Sequence, residues 1–189
     1  MSEIVHKLRQ AQALLDQGKF SQAKEVLQRV IRHAPADRQA NVLMRHAMAR
    51  LGQPQQALYY AEQALRSAPE DPELITLRAM SLADCGRLDE AMRVMEPCVE
   101  KNPQHGLARA TLARMYGVQE RLGDCLRTCM PGLQGKDAKG QPVQPDARIL
   151  SMYASALLRI GAPYPFCDTG PGVSIETTAK SRRVPIATP

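Results

Sequence analysis

The sequence predicts an all-α fold: an α-solenoid of stacked antiparallel helix hairpins, with about four repeats and a C-terminal capping helix. Three observations carry that expectation. Gly18, Gly52 and Gly86 stand 34 residues apart, and Ala23, Ala57 and Ala91 keep the same interval, as do Pro35, Pro69 and Pro103. A fixed period of this length is the signature of a repeat architecture. Between those marks the chain alternates apolar runs with stop signals. In residues 72–105, Ile75, Leu77, Ala79, Leu82 and Ala83 are stopped by Gly86; Leu88, Ala91, Val94, Met95, Cys98 and Val99 are then stopped by Asn102 and Pro103. Finally, aromatic residues make up only 4% of the chain and Trp is absent, so the core must be built from Leu, Ala, Val and Met. That suits a helical stack and argues against a β-sandwich.

Each repeated residue has a mechanical reason. Glycine ends the first helix of a pair because it tolerates the left-handed backbone of a C-terminal cap. Alanine belongs where two helix backbones come too close for a larger side chain. Proline stops the second helix, having no amide hydrogen to donate and clashing with the preceding turn. Neither helix can bury its apolar stripe alone, so stacked neighbours share the core.

Taken in order, the first helix is expected over about 3–17, with Ile4, Leu8, Ala11, Leu14 and Leu15 on one face. Phe20 follows the Gly18 turn and should wedge between the paired helices. The second helix, about 21–33, carries Ala23, Val26, Leu27, Val30 and Ile31, and Ser21 reads as its N-cap. The next pair falls near 37–51 and 55–67, with Pro54 at the helix start, where no amide bond is lost. Asp71-Pro72 opens the third repeat as an N-cap followed by proline. Pro97 lies inside that repeat's second helix and predicts a kink or loosened turn near 93–97. The fourth repeat begins at 106 with Leu107, Leu112, Met115 and Tyr116; Pro131-Gly132 should end its second helix early. Residues 134–145 read as a loop by composition. The last helix, 146–160, has an apolar stripe of Ile149, Tyr153, Ala156, Leu157 and Ile160, and should pack on the fourth repeat and cap the stack.

The pattern resembles the tetratricopeptide repeat, whose 34-residue unit has Ala and Pro at these phases. The resemblance divides residues 1–161 into repeats near 4–37, 38–71, 72–105 and 106–135 plus the lone helix 146–160, and it implies a right-handed superhelix. The fourth copy departs from the pattern, with Glu120 for the turn glycine and Cys125 for the alanine. The aromatic often found early in each first helix is replaced by Lys7, Asn41, Ile75 and Arg109. Residues 162–189 hold five prolines and two glycines in 28 residues and read as an extended or disordered tail. Its onset at a turn fits an N-terminal piece of a longer protein, or a tail docked on the exposed side of the last helix.

By the same resemblance, the first helix of each pair lines a concave groove. Its partner-binding residues would be Leu8 and Gln12, flanked by Val5 and Leu15; Gln39, Val42, His46 and Arg50; Glu73, Thr76 and Met80, with Asp84; and Arg114, with Leu107 and Ala110. The Lys and Asn clamp of chaperone-binding repeat domains is missing, since Leu8, Gln12, Leu43, Glu73 and Leu77 stand there. The asparagine ladder of sugar-transferring enzymes is missing too, its positions holding Arg9, Leu43, Leu77 and Thr111. A peptide held by apolar anchors and by His46, Arg50 and Arg114 is the expected ligand. The alternative is a substrate-recruiting N-terminal domain of a larger glycosyl- or sulfotransferase.

Other chemistries find little footing. The net charge of +6 is spread among acids, so it does not point to nucleic acid; AKSRR at 179–183 is short and lacks interleaved aromatics. No apolar run approaches the roughly 20 residues that span a bilayer. The polar N-terminus MSEIVHKLRQ does not read as a signal peptide. Five cysteines, an odd number, read as reduced thiols in a cytoplasmic protein. Cys125 and Cys129 lie one turn apart, but a structural zinc site takes four ligands and none complete the set. There is no phosphate loop, GxSxG elbow or HExxH motif. The sequence therefore predicts a non-enzymatic, cofactor-free interaction scaffold for a protein or peptide, with the last helix a candidate self-association surface.

Overall fold

A computed structural model of the 189-residue chain describes residues 3–133 and 146–161. Among them are nine helices and no strand: α1 (Glu3–Asp16), α2 (Phe20–His33), α3 (Arg38–Arg50), α4 (Pro54–Ser67), α5 (Pro72–Asp84), α6 (Leu88–Lys101), α7 (Gly106–Val118), α8 (Leu122–Leu133) and α9 (Ala147–Ile160). The expected loop at 134–145 and the tail at 162–189, with Cys167 and the basic patch, fall outside the described residues.

Two turn chemistries alternate. Within a pair, the first helix ends in a left-handed residue: Gly18 at φ 74°, Gly52 at 70°, Gly86 at 78° and Glu120 at 60°. The next amide folds back five residues, Lys19 N to Leu14 O at 2.8 Å, Gln53 to Met48 at 2.9 Å, Arg87 to Leu82 at 2.9 Å and Arg121 to Tyr116 at 3.0 Å. This bond takes up a carbonyl that the helix end leaves without a partner. The second helix starts at once and uses no side-chain cap, so Ser21, expected as the N-cap of α2, lies inside its first turn and Lys19 holds the cap position. Between pairs, side chains do the capping. Asp37 accepts from Ala40 N at 2.7 Å, Asp71 from Glu73 N at 2.8 Å, the His105 ring from Ala108 N at 3.1 Å, and Asp146 from Arg148 N at 2.8 Å.

The repeated alanines Ala23, Ala57 and Ala91 are fully buried, and Cys125 takes their place in the fourth pair. Leu27, Met44, Met48, Leu74, Leu82, Met95, Met115 and Ile149 fill the largest buried positions. The apolar interior runs the length of the stack, one cluster over α1–α4 and a larger one from α4 to α9. A bridge from Arg38 Nη2 to Asp71 Oδ2 at 2.6 Å ties the starts of α3 and α5.

Two prolines sit inside helices. Pro97 lies within α6, which runs on to Lys101. The sequence places the end of α8 at Pro131; instead α8 continues through it to Leu133. Both prolines are exposed, as are Arg93 and Arg127 four residues back. The carbonyl that each proline leaves without a donor therefore faces solvent, which supplies a substitute. α9 packs on α7 and α8 and ends at Gly161, φ 68°, repeating the turn of the earlier first helices.

Candidate functional site

The first helices of successive pairs lie side by side, and three hollows open among them; one, about 370 Å³, lies between α7, the start of α8 and α9, and the other two hold most of the expected groove residues. The first of these two lies between α1 and α3 and encloses about 300 Å³. It is walled by Gln12 and Leu15 of α1 and by Arg45, His46 and Arg50 of α3, with Phe20 at the start of α2. Phe20 contacts the next pair, where the Arg50 guanidinium sits over its ring, 5.2 Å from the centroid. Gln12 is held along its own helix, donating from Nε2 to Asp16 Oδ1 at 2.8 Å.

The second hollow, about 500 Å³, opens between α5, α7 and α9. Met80, Leu107, Ala110 and Met152 give it an apolar surface, and Asp84, Thr111, Arg114 and Arg148 add polar groups. Arg148 is committed to the Asp146 carboxylate, at 2.6 and 3.0 Å. Among the described residues, neither Arg50 nor Arg114 has an acidic partner within salt-bridge reach.

The remaining expected groove residues are placed differently. Gln39 and Glu73 are exposed but line neither hollow, and Val42 packs against the small Leu74–Leu77 cluster. Leu8, 5% exposed, belongs to the interior. Thr76 is fully buried, its hydroxyl donating to Pro72 O at 2.6 Å on its own helix. These two lie beneath the surface and support it.

One buried residue lining the first hollow is not among those expected from the sequence. Arg45 is 5% exposed, at a phase that reads as core. Its Nε donates to Ser81 Oγ at 2.9 Å, and that hydroxyl donates to Leu77 O at 3.0 Å. Asp84 Oδ2 stands 3.8 Å from Nη2, too far for a hydrogen bond. Burial lowers the Arg45 pKa and the Asp84 charge opposes this, with Arg114 near enough to add to the lowering. A guanidinium stays protonated regardless. Beside it, His46, exposed at the rim but crowded by its neighbours, is shifted below its ordinary value, first by desolvation and then by the Arg45 charge, with Glu73 pulling the other way. His46 is therefore neutral near pH 7.

The cysteines behave as packing residues. Cys85, Cys98, Cys125 and Cys129 are free thiols, and burial raises the pKa of Cys85 and Cys98. Cys129 donates to Cys125, which pushes the Cys129 thiol well up. Among the described residues no group of three His, Cys, Asp or Glu could hold a metal ion, and no helix is long and apolar enough to cross a membrane. On α9, Leu158 is 63% exposed, whereas Leu157 is buried at 6% and holds the helix to the stack.

Comparison with known proteins bears on what this surface is for. Models of the tetratricopeptide repeat match residues 8–43 and 48–115, together more than half of the chain. No curated protein matches. Similar solved structures include a thermophilic tetratricopeptide repeat protein of Thermus thermophilus, with a TM-score of 0.68 at 16% identity over 84% of this chain and 83% of that one. A tetratricopeptide repeat protein of Parabacteroides merdae ATCC 43184 gives 0.64 at 17% identity, over 84% and 60% of the two chains. MamA from Desulfovibrio magneticus RS-1, residues 41 to the end, gives 0.61 at 15% identity, over 81% and 77%.

Proposed function

The chain belongs to the tetratricopeptide repeat family, a family of protein-interaction scaffolds, and from that premise we propose that it holds an extended peptide segment of a partner protein against the face formed by α1, α3, α5, α7 and α9. In this reading it is a cytoplasmic docking module that performs no catalysis and uses no cofactor. The observation that carries the proposal is the pair of hollows on the first-helix face, each bordered by an arginine, Arg50 or Arg114, without a salt-bridge partner among the described residues. A second-helix face would not serve as well. Its cleft between α6, α7 and α8 is smaller, about 270 Å³, and is lined by Glu96 and Glu100 as well as by Arg109 and Arg127.

The binding energy of such a segment comes mainly from apolar side chains that lose water in the hollows, while charges at the rim set orientation and encounter rate. Arg50→Glu combined with Arg114→Glu should weaken capture of the native partner several-fold, with helical content and melting temperature unchanged. Affinity capture with both proteins, read by quantitative mass spectrometry, makes the measurement. Equal recovery of the same partners by the double variant places binding on another face.

A further inference from the structure

The hollow between α1 and α3 holds cations with few anions to match them. Arg45 and Arg50 both line it, and the acid on its wall, Asp16, already accepts from Gln12. Arg45 spends Nε on Ser81 and leaves the Asp84 carboxylate beyond hydrogen-bond length of Nη2. Arg45 is thus held toward α5, whereas Arg50 has no acidic partner among the described residues; its guanidinium edge can receive a planar anion, because two parallel N–H bonds to a carboxylate are charge-assisted and fixed in direction. The hollow between α5, α7 and α9 has the larger apolar surface: Met80, Leu107 and Met152 offer thioether and aliphatic area beside Asp84, Arg114 and Arg148. Methionine-lined hollows adapt to side chains of several shapes.

Resting on the groove reading, we propose that the bound segment is acidic at one end and apolar at the other, with an Asp or Glu side chain in the α1–α3 hollow and a large aliphatic or aromatic side chain in the α5–α7–α9 hollow. A carboxylate fits better than a dianion. His46 is uncharged near neutral pH, and Asp16 lines the same hollow, so a second negative charge would meet repulsion. The spacing follows from the stack. α3 and α7 are separated by two helix-to-helix steps, about 20 Å in all, which an extended chain covers in about six residues.

Phage display of random peptides on the purified full chain, followed by fluorescence anisotropy of the enriched sequences, tests this. The enriched pool should pair an acidic residue with Leu, Ile, Met or Phe about six positions away. Replacing that acid by its amide, or Arg50→Glu in the protein, should each lower affinity roughly tenfold, and Met80→Glu should abolish binding of the apolar end. Enriched peptides that lack an acidic residue, or that ignore Arg50→Glu while responding to Met80→Glu, overturn the charge assignment and leave the groove standing. Peptides indifferent to both variants, or no enrichment at all, remove the groove reading as well. Thermal melts of each variant separate loss of binding from loss of fold.

Discussion

At the scale of single residues, the fourth turn keeps its shape against its own chemistry. Glu120 adopts φ 60° where the other pairs use glycine, and a side chain in that conformation costs about 1 kcal/mol. Its carboxylate accepts from Arg159 Nη2 at 3.3 Å, an exposed pair of the kind that returns a few tenths of a kcal/mol. Glu120→Gly should therefore raise stability by about 0.5 kcal/mol, seen as a higher urea midpoint with an unchanged slope; a lower midpoint means that the Arg159 contact outweighs the strain. Gly86→Ala should do the reverse, since nothing lies within 4 Å of the added methyl and only the backbone, at φ 78°, objects. His46 yields a prediction with a sign. Its folded-state pKa lies below the ordinary value, so the unfolded chain takes up the proton first as pH falls. Stability should be complete above about pH 6.5 and decline as pH falls through the lower folded value. His46→Gln should flatten that part of the curve, and an identical decline in the variant assigns it to other groups. Of the residues lining the α1–α3 hollow, His46 and Arg50 were named from helical phase and Arg45 was not. The 34-residue phase it shares with the buried Ala11, Ala79 and Ala113 marks its position as interior, but nothing in the chain names its partner, Ser81, 36 positions away.

At the scale of elements, the helix starts and ends were legible wherever a local device sets them. Asp71, read as a cap, accepts amides of α5, and Gly18, Gly52, Gly86 and Gly161 take up left-handed φ at helix ends; Asp37 and Asp146, counted as the first residues of their helices, turn out to cap them. The misreadings came where an element answers to its surroundings. Pro131 looked like a stop, yet an exposed proline deprives the helix only of a bond on its wet side. Ser21 looked like a cap, yet the folded-back glycine turn had already set the helix start. The last helix shows what packing alone contributes. Ile149 is 2% exposed and faces the α7–α8 interior, whereas Leu158 projects away from it. Ile149→Ala should cost about 2–4 kcal/mol through lost contact and a residual cavity. Leu158→Glu should shift stability by less than about 0.5 kcal/mol. Chemical denaturation of both variants checks the pair, and a comparable loss from Leu158→Glu would place that face against something in the folded protein.

At the scale of the whole molecule, the groove and the stability have one origin. A hairpin touches its neighbours and little else, so every first helix keeps one edge open, and that edge is the surface we propose for a partner. The same arrangement makes stability a sum along the stack rather than a property of one centre. Here the interior divides near α4: Leu27, Val30, Met44 and Met48 belong to the cluster under α1–α4, while Leu82, Met95, Met115 and Ile149 belong to the cluster beneath the rest. Ala64, Leu74 and Leu77 form a small bridge between them. Leu27→Ala, at a fully buried position, should cost about 3 kcal/mol, and most of that loss should stay local. Hydrogen exchange should show protection falling in α1 to α3 while α6 to α8 keep theirs, because opening one end of a linear stack leaves the other end's contacts intact. The arginine-bearing hollow between α1 and α3 would then empty of ligand before the apolar hollow is disturbed. Equal loss of protection in all helices contradicts this: the small bridge would then couple the two clusters into one cooperative unit, and the groove would open and close as a whole.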